Sequence, residues 1–463
     1  MNLPIVSASI NLTKECNLRC SYCFTGGKTK EKISLEMAKK AVDYLINNAM
    51  SADLSDLPAK QRKIDISFWG GEPLLEWDLL QKIVLYAESV KPSELELSFG
   101  GTTNGTLLTA DKFAFLDKHK IFFLLSLDGT EETHDFHRKD CGGHGSHHTI
   151  VKNAKEILAK WPFYKARMSL YPERIGHFYD DMKYLVDLGF NDLYFSPVYE
   201  YDWTDENWRV WESECYRVID LLETLKRSGR KIRIEHFESY AKGSDNTPYP
   251  CGAGRGYVGI DTDGSIWPCH RFIKFEDTRH WSEKEWCFGH VEHGITKPEV
   301  REKFDNFKAD CTGCECYVET PCHGGCYATN IDLGGSLTKA DPRICAYVKM
   351  QVAVSAKYKE VIGVETSSSV RGCVCYNSCY LQNTKDEVID IDPSSEIQCH
   401  CYNVSYSGNP SPDSCVPLPK EVIMKKVSPQ DVINSIISMR KEVAELKEQI
   451  ASLVKLLTKD KEK

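Results

Sequence analysis

Six short apolar runs, each followed by a stretch with helical spacing, constrain this chain more than any other feature of its sequence. Residues 5–12 (IVSASINL), 64–69 (IDISFW), 94–99 (ELELSF), 121–127 (IFFLLSL), 166–171 (ARMSLY) and 192–198 (DLYFSPV) read as strands. Helical patterns fall between them, over 34–49, near 77–90, around 109–118, around 149–160 and near 177–188. In the first, Ser34 stands at the N-cap while Met37, Ala38, Ala41, Tyr44 and Leu45 share one face. Strands alternating with helices imply a parallel sheet built from βαβ crossovers, and so an α/β fold.

The loop after the first run is CNLRCSYC, which spaces Cys16, Cys20 and Cys23 as Cys-x3-Cys-x2-Cys. Three thiolates on one loop can hold three irons of a cubane cluster, whose irons usually take four Cys ligands. The remaining iron is then open to a substrate, as the free position of a catalytic zinc is. A closed zinc site completed by a distant Cys or His is the competing reading.

The chain has 463 residues and 20 Cys. That length predicts two or three domains. Its net charge of -9 opposes a nucleic-acid footprint, which would be basic. No apolar run is long enough for a membrane span, and MNLPIVSASINLT lacks the regions of a signal peptide. A cytoplasmic protein is expected, and there so many Cys favour metal or catalysis over disulfides. Cys141 and Cys215 stand apart from the clusters and read as inert thiols.

The Cys loop, with Tyr22 before its last Cys, is followed in order by FWGGEPLL (68–75), TTNGTLL (102–108) and SLDG (126–129). Together these resemble the signature of the radical S-adenosylmethionine (SAM) enzymes, over about the first 350 residues. The resemblance implies a partial (β/α)6 barrel, and each motif falls at a C-terminal strand end, where sites of such barrels lie. It also implies that Gly70, Gly71 and Glu72 contact the SAM amino group, with Tyr22 beside the cofactor. Asn104 and Ser126 would lie near its ribose and carboxylate. Arg138, in HDFHRKD, would grip that carboxylate with its fork; a surface ion pair is the alternative. GGEP could by itself be only a turn.

A second Cys group begins with Cys251 and Cys269, on what reads as a hairpin turned at Asp263-Gly264. Cys287, Cys311, Cys314, Cys316, Cys322, Cys326 and Cys345 follow. Zinc knuckles are one reading. The arrangement resembles the SPASM domain, which carries two auxiliary 4Fe–4S clusters and implies Cys251, Cys269, Cys311, Cys314, Cys322, Cys326 and Cys345 as ligands. The family spacing is Cys-x2-Cys-x5-Cys-x3-Cys, whereas x7 separates Cys314 from Cys322 here. Cys316 restores x5, so either Cys314 or Cys316 can be the ligand. Cys287 is a spare that could complete the first auxiliary cluster; without it, an iron stays open for a substrate thiolate. GRGYVG (254–259) copies a dinucleotide fingerprint but does not open a helix after a strand, so that reading fails. GGHGSHH (142–148) reads as a loop before the next helix rather than a metal site.

From 365 to 419 the sequence is rich in Ser, Asn, Pro, Tyr and Cys, and CVCYNSCY (373–380) is echoed by CHCYNVSY (399–406). A metal-binding appendage and a substrate-like segment fused to its own enzyme both fit. Beyond it, Ser428-Pro429 caps a helix whose apolar residues, from Val432 to Leu457, alternate steps of four and three. Such a heptad seam predicts a coiled coil and a homo-oligomer. The expected domains are 1–235 (barrel), 236–350 (SPASM-like), 351–419 (Cys-rich segment) and 420–463 (heptad helix).

The resemblance implies a radical SAM enzyme with SAM and three 4Fe–4S clusters, one binding SAM and two auxiliary. A 5′-deoxyadenosyl radical would take hydrogen from a peptide or protein, with an electron donor such as ferredoxin or flavodoxin. Thioether or similar crosslinking of a ribosomally made peptide competes with formylglycine formation by a sulfatase maturase. Those maturases carry an Asp as proposed base directly after the equivalent of Cys269, and here that residue is His270, an imidazole able to act near neutral pH. A non-enzymatic Fe–S carrier or zinc scaffold is the reading from another class, opposed by a set of SAM motifs that a carrier does not need.

Overall fold

The computed structural model describes residues 3–51, 63–243, 249–311 and 322–363. Its centre is six parallel strands side by side in chain order: β1 (Ser7–Thr13), β2 (Lys63–Gly70), β3 (Glu96–Thr103), β4 (Ile121–Ser126), β5 (Lys165–Leu170) and β6 (Asp192–Pro197). The crossovers carry α1 (Leu35–Ala49), α2 (Trp77–Val90), α3 (Ala110–Lys118), the pair α4 (Glu131–His137) and α5 (His147–Leu158), and α6 (Phe178–Leu188). A long helix α7 (Asp205–Arg227) leads to a two-residue edge strand, β7 (Arg233–Ile234), and then α8 (Glu235–Lys242). This is the α/β parallel sheet expected from the alternation, and its strand order fits the partial barrel that the resemblance implied.

Local chemistry sets the boundaries. Ser34 caps α1 by accepting from the Met37 amide at 3.0 Å, satisfying a donor the helix would otherwise leave open. Beneath the cap, Ala38, Ala41, Val42, Leu45 and Ile46 are buried against the sheet; each large aliphatic side chain so buried contributes about 1.5–3 kcal/mol. α6 ends on Gly189, whose φ of +119° is left-handed and suits a residue without Cβ. Along β4, Ile121, Phe123 and Leu125 are buried while Phe122 and Leu124 are partly exposed, the alternation a sheet with two unlike faces requires.

Most boundaries shift by no more than two residues from those read in the sequence, with one larger shift and one helix not read. The third strand runs to Thr103, so both threonines of TTNG belong to it and only Asn104 lies beyond. Helix α4 was hidden because its seven residues (EETHDFH) are mostly polar and carry no apolar stripe.

The Cys-rich part begins with β8 (Tyr257–Ile260) and β9 (Ser265–Trp267), an antiparallel hairpin whose turn holds Gly264 at φ +89°. That hairpin does not stand apart: β8 pairs in parallel with β1, from Ser7 opposite Tyr257 to Ile10 opposite Ile260. The short strands β10 (Gly289–His290) and β11 (Gly294–Ile295) continue the same sheet outward. Helices α9 (Pro298–Asp305), α10 (Tyr327–Gly334) and α11 (Pro342–Val361) follow. Beyond the hairpin a second apolar core forms, with Trp267, Phe272, Phe275, Phe304 and Tyr327 joined by Trp69 from β2. Among the described residues no helix is long and apolar enough to cross a membrane. Cys314, Cys316, the repeat-bearing segment 365–419 and the heptad helix lie outside the described residues.

Candidate active site

The Cys loop leaves the C-terminal end of β1 and is tied down on two sides. A backbone bridge pairs Leu18 with Asp140, and the Arg19 amide donates to Lys139 O at 2.7 Å. On the other side the end of β2 comes very close: Gly71 N donates to Thr13 O at 2.8 Å and Glu72 N to Glu15 O at 2.9 Å. This approach explains the two glycines of GGEP. A Cβ at Gly70, whose φ is +146°, would lie 2.3 Å from Thr13 O, and one at Gly71 would lie 2.0 Å from Glu15 O. No other residue type permits that contact.

The three thiols are partly buried and electrostatically distinct. Burial pushes the Cys16 thiol up to about 12, and Cys20 is also raised. Burial opposes the thiolate at Cys23 too, but the Lys28 ammonium, 3.0 Å from Sγ, and the Thr25 hydroxyl outweigh it and bring this thiol below its ordinary value. Buried thiols of raised pKa keep their protons unless a cation takes their place. Three partly buried thiols on one loop, two raised and one lowered, are the donor set that a cluster with one open iron needs, so the residues fit such a group.

Glu72 faces the same space, 1% exposed. Its carboxylate accepts from Asn104 N at 2.7 Å, Thr103 Oγ1 at 2.8 Å and Leu74 N at 3.1 Å. Burial raises its pKa to about 7 despite those donors. Glu72 thus binds the end of β3 to the end of β2. Asn104 passes the connection on, its Nδ2 donating to Asn17 Oδ1 at 2.9 Å within the Cys loop. Gly70, Gly71, Glu72 and Asn104 are therefore brought together beside Cys16.

Ser126, at the end of β4, is buried nearby. The SLDG stretch contributes a residue that motif matching passed over: Asp128, wholly buried, which Arg138 holds with two parallel hydrogen bonds at 2.6 and 3.0 Å. Arg138 is no surface residue, being 5% exposed. Burial pushes Asp128 up, and the guanidinium more than reverses this, keeping it ionised. Tyr22 OH donates to the same carboxylate at 3.2 Å, and the Arg138 guanidinium lies 5.4 Å from its ring. His134 closes the group: its Nδ1 accepts from Asp128 N at 3.2 Å, and burial lowers its pKa to about 3, so it is neutral. The other histidines are structural. His147 donates to Gly129 O at 3.1 Å, while exposed His144 pairs with Asp140, and no metal group forms from GGHGSHH.

On the β8–β9 side, Cys251, Cys269 and Cys326 lie close enough for the charge of each to act on the others. Cys287 is buried elsewhere; its thiol donates to Gly289 O at 3.4 Å and its charged neighbours are Asp263 and Lys297. It is not grouped with the other three. His270, next to Cys269, is aimed back toward the Cys loop, its ring 5.2 Å from that of Trp69 and 6.1 Å from that of Phe24. Its Nδ1 shares a hydrogen bond of 2.7 Å with Tyr257 OH, which reaches Ser9 Oγ at 2.8 Å. Burial, with Arg271 and Arg167 nearby, lowers His270 to about 3 and keeps it neutral. Cys215 is fully buried in α7 and Cys141 is exposed; neither joins a thiol group.

Comparison with known proteins agrees with this geometry. Residues 10–185 match the radical SAM superfamily. The chain is 25% identical over 345 residues to the cysteine-type anaerobic sulfatase-maturating enzyme of Clostridium novyi, covering 70% of this chain and 87% of that protein. It is 22% identical over 330 residues to the serine-type enzyme of Klebsiella aerogenes, covering 68% and 77%. Among solved structures, native anSMEcpe with bound AdoMet and Cp18Cys peptide superposes with a TM-score of 0.61 at 19% identity, over 80% of this chain and 100% of that one.

Proposed function

Taking as premise that the chain is a radical SAM enzyme, related to the anaerobic sulfatase maturases and using SAM with a 4Fe–4S cluster, we propose that it removes hydrogen from a peptide and forms a thioether or similar crosslink in it. The observation that carries this reading is the convergence of Cys16, Cys20 and Cys23 on the buried polar ring of Glu72, Asn104, Ser126 and Asp128. SAM and the reduced cluster, when bound, supply a carbon radical able to take a hydrogen atom from substrate.

The chain's own residues do the rest. Cys16, Cys20 and Cys23 would hold the first cluster, and Lys28 favours a thiolate at Cys23 before any metal arrives. The close contact of Gly70 and Gly71 with the Cys loop fixes the loop against β2, leaving no room for water between them. Glu72 and Asn104 would meet the amino group and ribose of SAM, with Ser126 and Arg138 toward its carboxylate. Cys251, Cys269 and Cys326 would hold a first auxiliary cluster, and Cys311, Cys322 and Cys345 with Cys314 or Cys316 a second. Cys287, lying apart, would leave the first with three thiolates and room for a substrate sulfur. His270 would face the substrate where the maturases carry their base, its ring fixed by the bond to Tyr257; with its pKa lowered to about 3 by burial, it would accept a proton only weakly. A ferredoxin or flavodoxin would supply electrons.

Formylglycine formation remains the second reading, favoured by similarity along 87% of a cysteine-type maturase. Anaerobic incubation of the reconstituted protein with SAM, dithionite and a Cys peptide separates the two by product mass. A crosslink loses two hydrogens and keeps its sulfur, whereas formylglycine from Cys loses the sulfur and gains an aldehyde oxygen. No 5′-deoxyadenosine at all would reject both.

A further inference from the structure

We propose that His290, Glu292 and His293 form a site for a divalent transition-metal ion of the zinc class, on the turn between β10 and β11. The site needs neither the cluster cysteines nor the radical SAM reading. The ligand atoms of its three side chains all lie within 4.8 Å of one another. A turn closed by His293 N donating to His290 O at 3.0 Å brings the two imidazoles together, with 5.2 Å between ring centroids. Trp281 stacks on both rings, at 5.2 and 6.2 Å. His290 is 5% exposed, whereas Glu292 and His293 open to solvent.

The hydrogen bonds around the site decide which atoms face inward. Asp263 O can only accept and lies 2.8 Å from His290 Nε2, so that nitrogen carries the proton. The Glu292 amide can only donate and lies 3.2 Å from His290 Nδ1, so that nitrogen presents its lone pair. Glu292 divides its oxygens in the same way. Oε1 is held by Lys40 of α1 at 2.7 Å, and Oε2 faces His290 Nδ1 at 3.7 Å. Lys40 is held in turn by Glu36 at 2.9 Å. A ring lone pair and a carboxylate oxygen therefore face each other with no hydrogen between them, an arrangement that repels by itself and attracts around a cation. Outer atoms fixed by a backbone carbonyl and a charged hydrogen bond are what metal-ligating imidazoles and carboxylates usually show.

The dimensions suit a small ion. Tetrahedral zinc with nitrogen and oxygen ligands sets those atoms about 3.3 Å apart. The 3.7 Å between His290 and Glu292 is close to that value, and exposed His293 is free to swing in. The long contact from the Glu292 amide would give way to the ion, and water would take the fourth position. Two imidazoles and one carboxylate select zinc, iron or nickel over magnesium and calcium. The bound ion would fasten the turn after β10 to the hairpin turn through Asp263 and to α1 through Lys40, clipping the Cys-rich part to the barrel. With three ligands on an exposed turn, the site fills from added ion and releases it to a chelator.

The test uses the full chain, purified without zinc and with its clusters reconstituted. Zinc(II) would be added anaerobically, and uptake followed by equilibrium dialysis in wild type and in the H293A and E292Q variants. Wild type is expected to bind one zinc per chain at this turn, and each variant to bind it at least tenfold more weakly, since loss of an outer-shell partner alone costs about 10–100-fold. X-ray absorption at the zinc edge should show nitrogen and oxygen at about 2.0–2.2 Å and no sulfur at about 2.3 Å. A roughly hundredfold excess of magnesium should displace none of it. Iron content and 5′-deoxyadenosine formation should be equal in all three proteins. Should H293A lose iron, E292Q decides alone: its amide oxygen keeps the Lys40 bond and turns an NH2 group toward the ion. No zinc uptake by wild type, equal affinity in wild type and E292Q, displacement by magnesium, or a sulfur shell that marks an adventitious ion only overturns the proposal.

Discussion

Arg138 and Asp128 form a buried two-point ion pair, with Nε 2.6 Å from Oδ2 and Nη2 3.0 Å from Oδ1. The pair joins the end of β4 to the segment after α4, and through Tyr22 it reaches the Cys loop. Removing one partner from such a pair leaves an uncompensated charge and typically costs about 3–5 kcal/mol. Asp128→Asn should therefore destabilise the protein by about that amount in chemical denaturation. An apolar pair, Asp128→Leu with Arg138→Met, should recover only part of the loss, since the desolvation cost disappears with both charges but the Ser169 amide and Tyr22 hydroxyl lose their acceptor. A single variant as stable as wild type would show that the pair is not the fastening described.

Loss of the three loop thiols has a different signature. Replacing Cys16, Cys20 and Cys23 together by Ala should abolish 5′-deoxyadenosine formation while leaving auxiliary iron in place, because Cys251, Cys269 and Cys326 form their own group. Iron assay and product analysis on the same sample check both halves. Continued cleavage of SAM by the triple variant is the result that cannot be reconciled with the proposed site.

Much of this was legible in the sequence because the period-two and helical patterns of a parallel α/β unit are strong. Five of the expected helices appear within a few residues of where the pattern put them, and Gly264 turns the hairpin as Asp263-Gly264 suggested. What escaped was tertiary. Nothing local tells that Asp128 meets Arg138, since the two are ten residues apart across a helix without an apolar stripe. Nor does sequence tell that β8 lies against β1, a parallel pairing of Ser7 with Tyr257 across most of the barrel's length in sequence. The spare Cys287 could be distinguished from the ligand candidates only by its place against Gly289.

Gly71→Ala tests the contact between β2 and the Cys loop. The added methyl would meet the Glu15 carbonyl at 2.0 Å, backbone that no side-chain rotation can clear. The loop must move, so the variant should lose iron from the first cluster and melt earlier, by roughly 1–3 kcal/mol of overpacking strain. Gly27→Ala, where a Cβ would meet nothing within 4 Å, is the matched control. Equal iron content in the two variants would remove the packing argument for GGEP.

Iron content separates the auxiliary readings. Three clusters predict about twelve irons per chain; Mössbauer spectra should show that iron in 4Fe–4S clusters, and metal analysis should find no stoichiometric zinc. Cys326→Ala should lower the total by about four, whereas Cys287→Ala should leave it unchanged, its thiol being bonded to Gly289 O away from the other three. Equal losses in both variants would restore Cys287 as a ligand.

Asp181, on α6, supplies a pH dependence away from the cluster ligands. It is 1% exposed, and its Oδ1 accepts from the Thr130 amide at 2.9 Å and hydroxyl at 2.7 Å, clipping the SLDG turn to the helix. Burial raises its pKa to about 6, against about 3.9 in an unfolded chain. The folded state therefore holds this proton more tightly, and the carboxylate's penalty is absent below about pH 4, grows between about pH 4 and 6, and is complete above that window. Asn keeps the oxygen acceptor and never ionises. Asp181→Asn should accordingly gain on wild type as pH rises from 4 to 7, by at most about 2–3 kcal/mol, and the gap should stay level above that. Parallel denaturation series of the two proteins would measure the gap, and a gap that stays constant over that range, or closes as pH rises, would contradict the assignment of a raised pKa to this carboxylate.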